Sequence, residues 1–199
     1  MNILFLTLYK INSLSERGIY TDLLRKFQEE GNTIHIVSPN ERREKKNTEF
    51  LINKQLHLLK VKTFNIQKTN LLEKGLATLS IEYQYLFAIK KYFKTTKFDL
   101  VLYSTPPITF SKVINYVKKR DGAYSYLLLK DIFPQNAVDM KMLKKNGIIH
   151  EYFLNKEKKL YQLSDKIGCL SEANLEYLKK HNSYLDFKKI EINPNTISP

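Results

Sequence analysis

The chain has 199 residues, and its 33 lysines and arginines against 20 aspartates and glutamates leave a formal charge of +13. With 43% hydrophobic and 27% charged residues, and only 6 glycines and 6 prolines, it is neither disordered nor collagen-like nor of low complexity. The length fits one large or two small domains and can bury a core without disulfide or metal staples, and the single cysteine, Cys169, cannot pair internally and points to a reducing compartment.

No uncharged apolar run reaches the ~18 residues that span a bilayer. The apolar start has neither a basic leader nor a small-residue cleavage site, so no signal peptide is expected. The positive charge calls for an anionic partner: nucleic acid, an anionic membrane face or a phosphorylated substrate.

NILFLTL (2–8) is a continuous apolar run, as expected of a strand buried on both faces of a parallel sheet. After a polar loop, Tyr20, Leu23, Leu24 and Phe27 fall on one face of a helix that Gly31 ends, and TIHIVS (33–38) is the next strand. This βαβ opening forces a parallel pair with a right-handed crossover. Residues 39–53 read as a mobile charged loop, and residues 54–64 as a third, more exposed strand. Residues 70–93 form a long helical pattern carrying Leu72, Leu76, Leu79, Tyr83, Leu86 and Tyr92, and the aromatics of 83–93 read as core and groove lining. FDLVLY (98–103) is a strand, 110–120 a helix, YSYLLLK (124–130) a strand, 147–163 a helix, DKIGCLS (165–171) a strand, 172–181 a helix, and KKIEI (188–192) a last strand. About seven strands alternating with helices, without a repeat or a Ser/Gly-rich linker, predict one doubly wound α/β domain over 1–192, with a mostly parallel sheet and helices on both faces.

Ligands of open parallel sheets bind beyond the carboxyl ends of the strands, so the loops there are the places to look. In SLSERG (13–18), Ser13 and Glu16 have capping-box spacing, Gly18 permits close backbone approach, and Arg17 beside a helix start suits an anion. In STPPIT (104–109), Pro106 and Pro107 stiffen the turn while Ser104 and Thr105 offer hydroxyls. In KDIFPQNAVDM (130–140), Lys130 and Asp131 end an apolar strand. A carboxylate there suits hydrogen bonding or acid/base work, Phe133 would wall a cleft, and the Gln135 and Asn136 amides suit sugar hydroxyls. In LSEANLEYL (170–178), Ser171 is an N-cap facing the same cleft, followed by Glu172. Each segment also has a plain structural reading as a helix start, a stiff turn or a cap. Cys169 reads as a small apolar strand residue rather than an activated thiolate.

The four histidines lack metal-ligand spacing, so no metal site is expected. A dinucleotide fingerprint, a P-loop and a nucleophile elbow are all missing. The basic clusters ERREKK (41–46), KKYFKTTK (90–97) and KKR (118–120) read as solvated faces, and no nucleic-acid-binding pattern accompanies them.

The order NILFLTLY, a loop with RG, YSTPPIT, KDIFPQNAVDM, CLSEAN and a closing NPNTI resembles family 4 glycosyltransferases of the GT-B fold, within the subgroup that builds bacterial capsule, O-antigen and exopolysaccharide. KDIFPQ matches that subgroup's basic–Asp–aliphatic–aromatic–Pro–acid/amide run. The resemblance spans essentially the whole chain, but only the N-terminal half of the family's architecture. It implies that 193–199 begin an interdomain linker, that the nucleotide-sugar-binding C-terminal domain is missing, and that the isolated chain is inactive. It also implies retaining transfer, needing no metal or cofactor, from a nucleotide-sugar to a lipid-linked or glycan acceptor. Asp131 would orient or deprotonate the acceptor hydroxyl. Arg17, Gly18, Ser104, Thr105, Pro106, Lys130, Phe133, Gln135 and Asn136 would bind the acceptor, and Ser171 and Glu172 would face the interdomain cleft. The expected location is cytoplasmic, peripheral on the inner face of the plasma membrane, with the basic surface against anionic lipid. The rival expectations are a non-catalytic module that pairs with a separate donor-binding chain and a basic nucleic-acid-binding protein.

Overall fold

The computed structural model describes residues 1–66 and 71–195, apart from the side chains of 71, 72 and 74. The Leu72 side chain and the last four residues of the expected linker therefore lie outside the described residues. The N-terminal apolar run forms β1 (Asn2–Leu6), buried from Ile3 onward. Helix α1 (Ile19–Glu29) follows and ends at Gly31, whose φ of +81° is a left-handed conformation that glycine adopts without strain. Next come β2 (Thr33–Glu41), β3 (Glu49–Asn53), β4 (Leu56–Thr63) and α2 (Leu71–Tyr92). The rest of the chain is β5 (Leu100–Ser104), α3 (Ser111–Asp121), β6 (Tyr124–Leu129), α4 (Gln135–Asp139), α5 (Ile148–Leu163), β7 (Lys166–Cys169), α6 (Glu172–His181) and β8 (Ile190–Ile192).

The eight strands make one sheet in the order β3-β4-β2-β1-β5-β6-β7-β8, parallel except for the β3–β4 pair. The sheet therefore has one strand more than expected. Residues 39–53 are a loop only in their middle, 42–48: β2 continues to Glu41, and β3 pairs antiparallel with β4 through a tight turn. The charged residues hid this segment because β3 is an edge strand, exposed from Leu51 to Asn53, and so lacks a buried run. Helix α4 was also unexpected, falling in a stretch read as loop.

The direction of each crossover decides which face its helix covers, because each must be right-handed. The β1-to-β2 step runs one way and places α1 on one face, against Ile3, Phe5, Ile34, Ile36, Leu102 and Leu128. The β4-to-β5, β5-to-β6, β6-to-β7 and β7-to-β8 steps run the other way. They layer α2, α3, α5 and α6 on the opposite face, over a larger core that includes Leu4, Leu6, Tyr85, Phe93, Phe98, Val101, Tyr103 and Ile167.

The α2 face facing that core is Ala77, Ile81, Tyr85, Ala88 and Ile89. Of the expected aromatic core and groove lining, Tyr85 and Phe93 are core and Tyr92 packs against it, as does Leu86 of the helical pattern, whereas Leu76, Leu79, Tyr83 and Phe87 are exposed. Both the buried and the exposed set have helical spacing, and the buried one meets the sheet, where Tyr85 donates to the Thr7 carbonyl at 2.8 Å.

Polar contacts lock the layers. The buried Glu82 carboxylate of α2 accepts from the Lys112 backbone N–H (2.6 Å) and the Ser111 hydroxyl (3.3 Å), and pairs with Lys156 of α5 (3.2 Å). It supplies the cap that α3's own N-cap residue, Phe110, does not. Lys118 and Arg120 of the KKR cluster are anchors rather than free charges. Lys118 bonds Asp165, Ser125 and the Leu163 carbonyl, and Arg120 bonds Asp121 and the Phe93 and Thr96 carbonyls. Gly168 is required by close approach: a Cβ there would stand 2.5 Å from the Tyr126 hydroxyl and 2.8 Å from the Asn193 Cβ.

Candidate active site at the switch point of the sheet

Strand order reverses between β1, which leads to β2 on one side, and β5 on the other. At such a point the loops leaving neighbouring strands diverge and open a crevice at the carboxyl ends. Three segments converge there: the β1–α1 loop with the start of α1, the turn after β5, and the turn after β6.

Tyr20, in the first turn of α1, reaches across the crevice. Its phenol lies near the Ser104 side chain at the end of β5 and within electrostatic range of Asp131 after β6. Burial is the main cause of its raised pKa, opposed by the nearby Ser104 hydroxyl and reinforced by the Asp131 charge. Its ring is held by Phe5 and Tyr9, at centroid distances of 5.3 and 6.4 Å. Tyr20 was missed as a site residue, because helical spacing explained it fully as part of α1's apolar face. Only the position of α1's first turn over the strand ends gives it a polar role.

Ser104 is buried beneath Tyr20, and Asp131 is exposed at the rim. Lys130 is half-buried, and burial lowers its pKa. Thr105 is committed to holding the two turns together: its hydroxyl accepts from the Lys130 and Asp131 N–H groups (3.1 and 3.3 Å) and contacts the Asp131 carbonyl (3.1 Å). Its own N–H donates to the Leu128 carbonyl at 3.2 Å. Thr105 thus sets where Asp131 stands. Pro106 is exposed, whereas Pro107 is buried.

The remaining expected site residues are spread around the rim. Arg17 is exposed next to α1's first turn, and Gly18 is that helix's N-cap with extended backbone. The Ser13–Glu16 pair does not form a capping box, since α1 starts only at Ile19 and Ser13 bonds the Ser15 hydroxyl and N–H instead. Phe133 turns toward α5 and meets Phe153 edge-on at 5.0 Å. Gln135 donates to Asp139 (2.7 Å), while the buried Asn136 Oδ1 has no hydrogen-bond partner. Ser171 caps α6, accepting from the Asn174 N–H at 3.4 Å, and Glu172 beside it is exposed. Cys169 is a buried strand residue whose thiol burial pushes up to about 11. The structure therefore brings Ser104, Thr105, Lys130 and Asp131 together with Tyr20, and leaves Phe133, Gln135 and Ser171 with structural contacts.

Among the described residues, no group of three His, Cys, Asp or Glu side chains could hold a metal ion. Among them, too, no helix is long and apolar enough to cross a membrane.

Comparison with known proteins gives this crevice a context. No family profile matches the chain. In sequence it is similar to a probable glycosyltransferase, WbjE of Pseudomonas aeruginosa: 29% identical over 113 residues, 57% of this chain and 28% of that protein. In fold it is similar to sucrose-phosphate synthase from Thermosynechococcus elongatus, with a TM-score of 0.65 over 97% of this chain and 47% of that one, at 10% identity. A trehalose-6-phosphate structure from E. coli with UDP-2-fluoro glucose bound aligns at a TM-score of 0.59 over 89% of this chain and 43% of that one, at 8% identity. The fold is thus a mostly parallel, Rossmann-like α/β sheet of the kind found in GT-B glycosyltransferase structures. The chain spans about half the length of these solved structures and about a quarter of WbjE.

Proposed function

We propose that the chain is the acceptor-binding half of a retaining, family 4-type glycosyltransferase of bacterial surface polysaccharide synthesis, acting on a lipid-linked or glycan acceptor at the cytoplasmic face of the membrane. The observation that carries this reading is the convergence of Tyr20, Ser104 and Asp131 at the β1/β5 switch point. The likeness to glycosyltransferases in sequence and fold supports it.

In this reading the acceptor hydroxyl donates its proton to the exposed Asp131 carboxylate as its oxygen attacks the anomeric carbon on the same face from which the nucleoside diphosphate departs to a donor-binding half, so the configuration is retained. Thr105 holds Asp131 in position through the backbone, and Tyr20 and Ser104 complete a polar wall for the acceptor sugar. Arg17, beside the free N–H groups at the start of α1, takes a phosphate of the acceptor.

The test is saturation-transfer NMR on this chain with a short-chain pyrophosphate-linked sugar. The wild type should contact the sugar, and Asp131→Ala should lose that contact with the fold unchanged. No contact in the wild type would overturn the acceptor assignment. Joined to a donor-binding half, Asp131→Asn should lower transfer roughly 10²- to 10⁴-fold, the usual contribution of a positioned general base.

A further inference from the structure

One lysine of the sheet is buried with no acid beside it. Strands send alternate residues to opposite faces. On the face covered by α1, Ile34 and Ile36 of β2 and Leu58 of β4 join an apolar core together with Ile11 and Leu14 of the β1–α1 loop. The same alternation puts Ser38, Asn40 and Lys60 on that face, nearer the carboxyl ends. Ser38 and Lys60 are register partners on neighbouring strands, so their side chains leave the sheet about 5 Å apart. Lys60 is 9% exposed, and Ser38 and Asn40 are each 1% exposed.

A buried ammonium is costly unless its charge and its donors are satisfied. Lys60 donates to the neutral Asn12 Oδ1 at 2.7 Å, and among the described residues no carboxylate pairs with it. An ammonium carries further N–H donors. Beside it the buried Ser38 Oγ has no hydrogen-bond partner, and neither has the Asn40 Oδ1. The Asn40 Nδ2 donates to the Asn47 carbonyl at 3.1 Å, which fixes the amide and leaves its oxygen as an open acceptor. The acids of the adjoining rim are taken, Glu41 by Arg43 and Glu44 by Lys10, whereas Lys45, Lys46 and Lys62 are exposed. Asn12, which covers the Lys60 ammonium, is itself exposed, so the charge lies one side chain below the surface.

We propose that Lys60, Ser38 and Asn12 form a subsite for the oxyanion of a hydroxylated ligand, a sugar acid or a sugar phosphate. The anion replaces the Asn12 carbonyl oxygen as acceptor of the Lys60 ammonium and takes the Ser38 O–H as well, both as charge-assisted bonds. The Asn40 Oδ1, two residues along the same strand, accepts from a ligand hydroxyl about 7 Å from the anion. That acceptor is what suits the site to a hydroxylated ligand rather than to an inorganic anion. The subsite lies between β2 and β4, on the far side of β2 from the β1/β5 switch point. It therefore stands independently of the role assigned to Asp131.

The experiment is an NMR titration of the chain with glucuronate, glucose 1-phosphate, inorganic phosphate and glucose. Glucuronate or glucose 1-phosphate should displace the amide signals of Ser38, Asn40 and Lys60, and the tighter of the two tells carboxylate from phosphate. Inorganic phosphate should bind more weakly than that ligand, and glucose weakest of all. Lys60→Met should weaken anion binding about tenfold or more, and Ser38→Ala by a smaller factor. Without ligand, Lys60→Met should resist urea at least as well as the wild type, because it removes a buried charge that no carboxylate balances. A marked loss of stability instead would make Lys60 a structural tie for the β1–α1 loop and overturn the proposal. So would the absence of shifts at these residues, shifts that survive both substitutions, or inorganic phosphate binding as tightly as the sugar anions.

Discussion

Asp131 carries the proposed chemistry, but Thr105 decides where it stands. One hydroxyl serves two backbone N–H groups and a carbonyl in the turn after β6. Thr105→Val keeps the shape and removes those bonds, leaving buried backbone groups unsatisfied. A loss of about 1–3 kcal/mol is expected in urea unfolding, with displaced amide NMR signals for Lys130 and Asp131. A second residue with a legible consequence is Glu157, buried between α5 and α6, which accepts from Tyr161 at 2.8 Å and feels Tyr184 and Tyr177. Burial raises its pKa to about 7 from an ordinary 4.5, partly offset by the Tyr161 bond. Because the folded value is the higher one, its contribution is fully present below pH 4.5 and is lost as pH rises through 7. Glu157→Gln should flatten that slope. It should be more stable than the wild type at pH 8, on the order of 3 kcal/mol, with the two converging near pH 4.5. Equal pH profiles would place the carboxylate in contact with solvent.

At the scale of elements, Glu82 joins three helices through one carboxylate, on the first turn of α3 and against Lys156 of α5. Glu82→Ala leaves the Lys156 ammonium and two N-terminal donors of α3 without their acceptor. Removing one partner of such a pair costs about 3 kcal/mol, and hydrogen exchange at the start of α3 should accelerate first. Which elements could be read from sequence follows from burial. β1, β5 and β6 are buried on both faces, so their apolar runs announce them. β3 sits at the edge and exposes half its length, and α4 has five residues, too few for a period. The phase of α2 was ambiguous for another reason: its core face uses alanines at 77 and 88, while its outer face carries the bulkier Leu76, Leu79 and Phe87. Periodicity finds a stripe but does not say which of two stripes meets the sheet. In the site, Ser104, Lys130 and Asp131 were legible as polar residues ending apolar strands. Tyr20 was not, since its role depends on a contact between segments more than 80 residues apart.

For the whole molecule, the topology that builds the crevice also divides its surroundings. One crossover runs toward β2 and the others toward β8, so α1 stands alone on its face and reaches the crevice with its first turn, while the other face is a continuous helix layer. Part of the net charge of +13 is used up inside, at Lys118 and Arg120, while exposed lysines such as Lys26, Lys54, Lys112 and Lys159 lie on the helices of both faces and on the hairpin turn alike. The antiparallel hairpin at the other end of the sheet has a quieter consequence. β4 pairs with β2 on one side and with β3 on the other, and it carries the buried Leu58, Leu59 and Val61. β3 is short, with Glu49 and Asn53 at its ends and Lys54 in the turn, a poor template for strand addition. Trimming it would turn an eight-residue interior strand into an open edge able to recruit β4 from other molecules. The charged segment that looks most dispensable in the sequence is therefore what keeps the sheet from growing into filaments.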